Sequence, residues 1–125
     1  MDISRAFLVI GSLFLVLGIG LGIQMGASGD HTLMPVHAHI NLLGFAVMSI
    51  FGLIYRAFPA MTASGLARVH FWLHLVGSSV LVVMLFLLMS GRIAETAMFP
   101  LAPVAELAVF VGLLLFVFNL WKNGK

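Results

Sequence analysis

Four long apolar stretches constrain this chain more than any other feature. They lie at about residues 6–26, 35–58, 69–89 and 99–121 of the 125. A membrane-spanning helix needs about 20 apolar residues, because each residue adds 1.5 Å and the hydrocarbon core is about 30 Å thick. Each stretch meets that length, and turn-forming segments separate them. The sequence therefore predicts an all-α membrane protein, with four transmembrane helices in one domain over residues 1–125.

The composition excludes several other classes of protein. Charged residues make up only 8% of the chain, whereas a soluble domain carries about 25%. The chain has no cysteine, which excludes disulfides, thiolate metal sites, iron–sulfur clusters and covalently attached haem. Its basic residues are scattered singly, so no patch is suited to nucleic acid. A secretory signal is the alternative for the first stretch, but that stretch exceeds the usual 7–15 apolar residues and lacks a small-residue cleavage site.

The distribution of Lys and Arg predicts the orientation in the membrane. With the N-terminus inside, five basic residues flank the spans on the cytoplasmic side and only Arg92 lies outside. The five are Arg5, Arg56, Arg68, Lys122 and Lys125. Short loops rich in Lys and Arg stay in the cytoplasm. We therefore expect a multi-pass protein of the inner, cytoplasmic membrane with both termini in the cytoplasm.

Few polar side chains fall inside the spans, and such residues usually mark function because they are costly in lipid. They are His37, His39, Asn41, His70, His74 and Glu106. Histidine is the main metal ligand among them. His37 and His39 are two residues apart, about 200° of helical rotation, so they point to nearly opposite sides. They cannot bind one iron together, but each can serve a different cofactor. The alternative is a pair of interfacial histidines bonded to water or to backbone carbonyls.

The other intramembrane polar residues have two interpretations each. His70 and His74 are four residues apart and share a helix face, a spacing that suits a metal pair but also occurs by chance. Glu106 is either a carboxyl that is neutral or bonded to a neighbouring helix, or a group that handles protons or faces a quinone.

Glycines spaced along the first two spans predict close contacts between helices. Gly18 and Gly22 form a G-x-x-x-G pair, and Gly44 and Gly52 share one face of the second span. We expect these faces to support assembly with identical copies.

Two sequence segments resemble a known family. "HAHINLLGFAVMSIFGLIYRAFP" followed by "ARVHFWLHLVG" resembles the C-terminal part, the last four transmembrane helices, of haem–copper oxidase subunit I. The shared features are the H-x-H pair at a helix start, the aromatic–proline exit at Phe58-Pro59, the "HFWL" run, and the "SGRI" loop with Arg92. The resemblance covers about residues 36–92. The first and last spans match only as apolar helices.

The resemblance implies a noncovalently bound haem, b-type or another. In that family the two histidines of the H-x-H pair ligate two different haem irons, and an arginine bonds the haem propionates. His37 and His39 are therefore expected to be axial ligands, and Arg92 a propionate partner. The family's copper ligands lie on helices that this chain does not have, so it is not expected to be a complete oxidase. His74 stands where the family has an apolar residue, and its role is unexplained.

The same resemblance implies an assembly. The oxidase subunit looks like three four-helix arcs around a pseudo-threefold axis, so one arc suggests a homotrimer. Three haems held by His37 of one copy and His39 of the next would be low-spin and suited to one-electron transfer. A membrane quinol or another membrane redox partner is the electron donor that this scheme suggests. The alternative is an accessory or structural membrane subunit, or a haem or copper handling factor, without redox turnover.

Overall fold

The computed structural model describes residues 1–125 and is entirely helical. Its four long helices are α1 (Ile3–Ser28), α2 (Met34–Ala57), α3 (Gly65–Met89) and α4 (Leu101–Asn123). All four are long and apolar enough to cross a membrane. One-turn segments at Ala60–Ala63 (α-helical) and Glu95–Met98 (3₁₀) lie in the connections. The predicted all-α, four-helix transmembrane character is thus confirmed.

The ends of the helices differ from those of the predicted apolar stretches by up to four residues. The Asp2 carboxylate caps the N-terminus of α1 by accepting the backbone N–H of Arg5 at 3.1 Å, so α1 begins at Ile3 instead of residue 6. At the other end Gly29 adopts φ of 71°, and its N–H bonds the carbonyl of Met25. Only glycine takes that conformation readily, which explains why α1 ends there.

The four helices run alternately up and down, so both termini lie at the same end of the bundle. At that end Ser4 Oγ donates to the carbonyl of Gly52 at 3.0 Å, and Asn119 Nδ2 donates to the carbonyl of Met61 at 3.0 Å. We call this end, with residues 58–64, the terminal end. The opposite end, with residues 29–33 and 90–100, is the loop end. Helix α1 packs on α2 and α3 on α4, and α2 and α3 join the two pairs.

The core is an aromatic cluster in the terminal half of the bundle. Its buried members are Ile3, Phe7, Met48, Phe51, Tyr55, Met61, Ala67, Phe71 and Phe116. Phe7 is fully buried, and its ring meets Phe71 edge-on with centroids 5.0 Å apart and stacks with Tyr55 at 5.8 Å. Large apolar side chains cover the outside of all four long helices. Such a surface suits the lipid bilayer.

The glycine faces are used within one chain, contrary to the expectation from the sequence. A Cβ on Gly18 would strike Asn41 of α2, and a Cβ on Gly22 would lie 2.9 Å from Cε1 of His37. From the α2 side, Gly44 accommodates Phe14, while Gly52 accommodates Leu8 and the backbone of Ser4. All four glycines therefore close the α1–α2 contact and are not free for contacts between copies.

Candidate functional site

His37 lies half-buried between α1 and α2, in the space that Gly22 leaves. Its Nδ1–H donates to the carbonyl of Gly18 at 2.8 Å. The amide of Asn41, one turn further along α2, lies 3.2 Å from Nε2 of the same ring. The imidazole is therefore held on both sides, by a backbone carbonyl and by a side-chain amide. Asn41 Oδ1 is buried and makes no hydrogen bond.

His39 lies on the other flank of α2, with its side chain exposed. Its Nδ1–H donates to the carbonyl of Pro35, one turn back, at 2.8 Å. Its Nε2 makes no hydrogen bond. The two histidines thus face opposite flanks of one helix, as their 200° separation predicts.

A π-helical stretch, Ile40–Ala46, follows His39 directly. Within it the N–H of Val47 bonds the carbonyl of Leu42, five residues back. In an α-helix that N–H would bond Leu43. The carbonyl of Leu43 instead accepts Nε2–H of His74 on α3 at 3.0 Å. The turn after the H-x-H pair is therefore widened. The Leu43 carbonyl, which loses its partner within α2, accepts a hydrogen bond from His74 of α3 instead. Such π-segments are frequent at functional sites.

An apolar groove separates α2 from α4 in the loop half of the bundle, with α3 behind it. In the terminal half the two helices touch, and the rings of Phe51 and Phe116 are 4.6 Å apart. Toward the loop end two adjoining hollows of about 490 Å³ and 350 Å³ share the same walls. Those walls are Leu43, Val47, Val109 and Leu113. We call this feature the α2–α4 groove.

His39 and Glu106 are the polar side chains of the α2–α4 groove at its loop end. Both lie five residues into their helices, so by helical rise they sit at similar depth. Glu106 is exposed on the bundle and makes neither a hydrogen bond nor an ion pair. His74 borders the same groove further in. The groove thus combines apolar walls with one imidazole and one carboxyl near its mouth.

His70 and His74 are buried in the core and have separate partners. His70 is 0% exposed, and its Nδ1 accepts the hydroxyl of Tyr55 at 2.9 Å. The ring of His74 lies 6.0 Å from that of His70 and bonds Leu43. Their shared helix face is as the sequence predicts. The chain has no group of three or more His, Cys, Asp or Glu side chains that could hold a metal ion by themselves. The Tyr55–His70 pair is not evident from the sequence, because the two residues belong to different helices.

Two polar groups of interest lie in the loop-end connections. Arg92 is exposed, and its guanidinium stands 5.2 Å from the centroid of the Phe86 ring. It shares the loop end with His37 and His39 but does not line the groove. Asp30 accepts the hydroxyl of Thr32 at 2.6 Å and its backbone N–H at 2.9 Å. These bonds hold the pKa of the exposed Asp30 carboxyl below its ordinary 3.8.

Comparison with protein-family models, with curated proteins and with solved structures finds no significant match to this chain.

Proposed function

We propose that this chain is a haem-binding membrane protein that transfers single electrons through haem groups held between identical copies. His39 carries the proposal. A histidine that ligates iron through Nε2 commonly donates its Nδ1–H to a carbonyl, which fixes the tautomer and orients the ring. His39 meets this condition through Pro35 at 2.8 Å, and its Nε2 makes no other bond. Beside it lies a groove with apolar walls, which suits a planar, apolar macrocycle.

His37 fits the same role after one rearrangement. Its Nδ1–H bond to the carbonyl of Gly18 orients the ring in the same way. Its Nε2 is held by Asn41 at 3.2 Å, so the Asn41 amide has to turn aside before His37 can bind iron. The buried Oδ1 of Asn41 has no partner to lose in that rotation. We propose His37 and His39 as the two axial ligands.

The geometry of the two histidines favours an assembly of identical copies. Because they face opposite flanks of α2, one chain offers each haem a single axial nitrogen. In a closed ring every copy gives one ligand to each neighbour, so no ligand is unused. A homotrimer is the ring that the resemblance to the oxidase subunit implies. Glu106 also favours an assembly in which a neighbouring copy covers the α2–α4 groove. A carboxyl that faces lipid inside a span is costly, and Glu106 lines this groove.

When bound, the haem would supply reversible one-electron exchange. His37 and His39 are the residues that would hold it. Arg92, at the same end of the bundle, provides a cation for the propionates at the membrane surface. The groove walls exclude water from the macrocycle. A membrane quinol or another membrane redox partner is the proposed source of electrons.

The proposed location is the inner, cytoplasmic membrane with the terminal end in the cytoplasm. The support is the concentration of five basic residues at that end against Arg92 at the other. The chain has no cysteine, so single cysteines introduced at Asp30 and at Lys125 report sidedness cleanly. We expect a membrane-impermeant thiol reagent on intact cells to label position 30 and not position 125. The reverse pattern would overturn the orientation.

The test of ligation is the absorption spectrum of the purified protein. We expect a low-spin haem spectrum that His37→Ala and His39→Ala each convert to high-spin or abolish, because each removes one axial nitrogen. His31→Ala is the matched control, since His31 is an exposed loop histidine at the same end. Native mass measurement with haem quantification should give three chains and three haems. Wild-type spectra in both ligand variants, or a monomer with one haem that loses it in His31→Ala, would refute the proposal.

A second candidate function is an accessory or structural membrane subunit, or a haem or copper handling factor, without redox turnover. The hydrogen bond between Asn41 and Nε2 of His37 favours it, because that bond satisfies the histidine without any metal. The same purification separates the two. A colourless protein that stays colourless after incubation with haem would support this second function.

A further inference from the structure

A polar pocket opens at the terminal end of the bundle and reaches Tyr55. It has a volume of about 490 Å³ and is bounded by the start of α1, the end of α2, the 58–64 connection and the start of α3. Ser4, Thr62, Ser64 and Arg68 are among its polar walls. Tyr55 also borders it, although that side chain is only 1% exposed. The phenol therefore stands between a polar pocket and the aromatic core.

A short series of polar groups leads from Tyr55 toward the middle of the bundle. The Tyr55 hydroxyl donates to Nδ1 of His70 at 2.9 Å. His74 follows one helical turn further along α3, with ring centroids 6.0 Å apart. By helical rise His74 lies about 13 Å from the start of α3, close to the middle of a span of about 30 Å. There it borders the α2–α4 groove.

Nε2 of His70 is the atom that this arrangement leaves unexplained. It is buried and makes no hydrogen bond, although buried polar atoms nearly always have a partner. Its aromatic neighbours Phe7, Phe51 and Phe116 offer no acceptor. The ring of His74 is the other neighbour, and since its Nε2–H bonds Leu43, its Nδ1 carries a lone pair. A spacing of one helical turn is a distance that one water molecule bridges.

We propose that Tyr55 and His70 pass protons between the terminal-end pocket and His74, with one water molecule joining the two imidazoles. A protonated water in the pocket gives a proton to the Tyr55 oxygen, while the phenol proton moves to Nδ1 of His70. The proton on Nε2 of His70 leaves to the bridging water, which releases one of its own to Nδ1 of His74. Tyr55 and the water regain their hydrogens, and His70 is left neutral with its proton on Nδ1. The net change is one proton moved from the pocket to His74, with the proton of His70 shifted from Nε2 to Nδ1.

This path leads to the wall of the groove that we propose for haem, but it depends on no bound haem. Its members are held by helices α2 and α3, and its first step is a hydrogen bond that is already formed. A proton held by His74 would partly balance the charge of an electron arriving in the groove.

The test follows the exchange of imidazole protons with solvent, in haem-free protein labelled with ¹⁵N-histidine in lipid nanodiscs. After transfer to D₂O we expect the Nε2–H of His70 to exchange faster than the backbone amides around it in α3. Tyr55→Phe keeps the ring in the core but removes the hydroxyl, and it should slow that exchange at least tenfold. Thr62→Val is the matched control, because Thr62 lines the same pocket without bonding His70. Equal rates in Tyr55→Phe and wild type would refute the path.

A second variant tests the exit of the proton toward His74. His74→Gln keeps a side-chain N–H for Leu43 but removes the imidazole. Because the proton on Nε2 of His70 leaves through the water to His74, exchange at His70 should slow in this variant. Exchange at the wild-type rate would mean that the proton leaves by another route, and it would overturn the proposal.

The test does not depend on the folding of Tyr55→Phe. Tyr55 is the only tyrosine in the chain, so growth on fluorotyrosine changes this phenol alone. A more acidic phenol should speed the exchange of His70. An unchanged rate in the fluorinated protein would also refute the path.

Discussion

Replacing Gly77 by alanine tests a close contact between α3 and α4. A Cβ at this position would lie 2.7 Å from Cγ2 of Val109 and 2.9 Å from the carbonyl oxygen of Ala105. Val109 can rotate, but the carbonyl belongs to the backbone of α4. The alanine therefore fits only if the two helices move apart along their contact.

The expected cost follows from two opposing effects. Forcing extra atoms into a well-packed contact costs about 1–3 kcal/mol, and a rigid backbone neighbour favours the upper part of that range. Alanine in a helix returns up to about 1 kcal/mol relative to glycine. We expect Gly77→Ala to lower the free energy of unfolding by about 1–2 kcal/mol. This is about a tenfold change in the unfolding equilibrium.

The assay is reversible unfolding in mixed micelles of mild detergent and dodecyl sulfate, followed by circular dichroism. Gly20→Ala is the matched control, because a Cβ on Gly20 would meet nothing within 4 Å. That variant should be neutral or stabilised by up to about 1 kcal/mol, through helix propensity alone. If Gly77→Ala proved as stable as Gly20→Ala, the α3–α4 contact would be looser than described.

Three further predictions concern single polar groups. Asn119→Ala should lower the free energy of unfolding by about 1–3 kcal/mol, because it removes the hydrogen bonds from α4 to Met61 and Ser64, each worth about 0.5–1.5 kcal/mol. Asn123→Ala, a partly exposed asparagine on the same helix, should cost less in the same unfolding assay. Thr32→Val should raise the pKa of Asp30 toward 3.8, measured by carboxyl NMR. That pKa is lowered in the folded chain, so the hydrogen bonds to the carboxylate stabilise the turn fully at pH values above the ordinary pKa of 3.8. The stabilisation is lost as the pH falls through the pKa of the folded chain. If haem binds as proposed, Arg92→Gln should lower the midpoint potential of the haem by tens of millivolts in a redox titration, because a nearby cation favours the ferrous state. An unchanged potential would mean that Arg92 does not lie beside the propionates.

Much of the fold was predictable because a bilayer imposes length and polarity on each helix independently. Each of the four stretches coincides with one helix of the structure, and only the ends differ, by up to four residues. The start of α1 depends on the Asp2 cap, and α3 begins at Gly65 instead of residue 69. Helix ends follow local hydrogen bonds instead of hydropathy, so apolar stretches locate them only within a few residues.

The candidate site was predictable only where it depends on one helix. The opposite flanks of His37 and His39 follow from helical rotation, and so does the shared face of His70 and His74. The groove between α2 and α4 and the exposure of Glu106 within it depend on how helices diverge. The expected use of the glycines between copies was wrong, because a small-residue face does not specify which helix covers it. Ligation by His37, His39 and Arg92 stays a prediction.

The sequence by itself determined that the chain forms four apolar helices and which few polar side chains those helices carry into the membrane. Hydropathy and helical periodicity are properties of single segments, and they suffice for that. Only the tertiary structure decided that the Gly18 carbonyl of α1 holds His37, that Tyr55 bonds His70, and that a widened turn of α2 leaves Leu43 to accept His74. Each of these is a hydrogen bond whose partners are selected by packing or by a local departure from α-helical geometry. In a membrane, where no water competes for buried polar groups, those pairings determine which nitrogen atoms are left for chemistry.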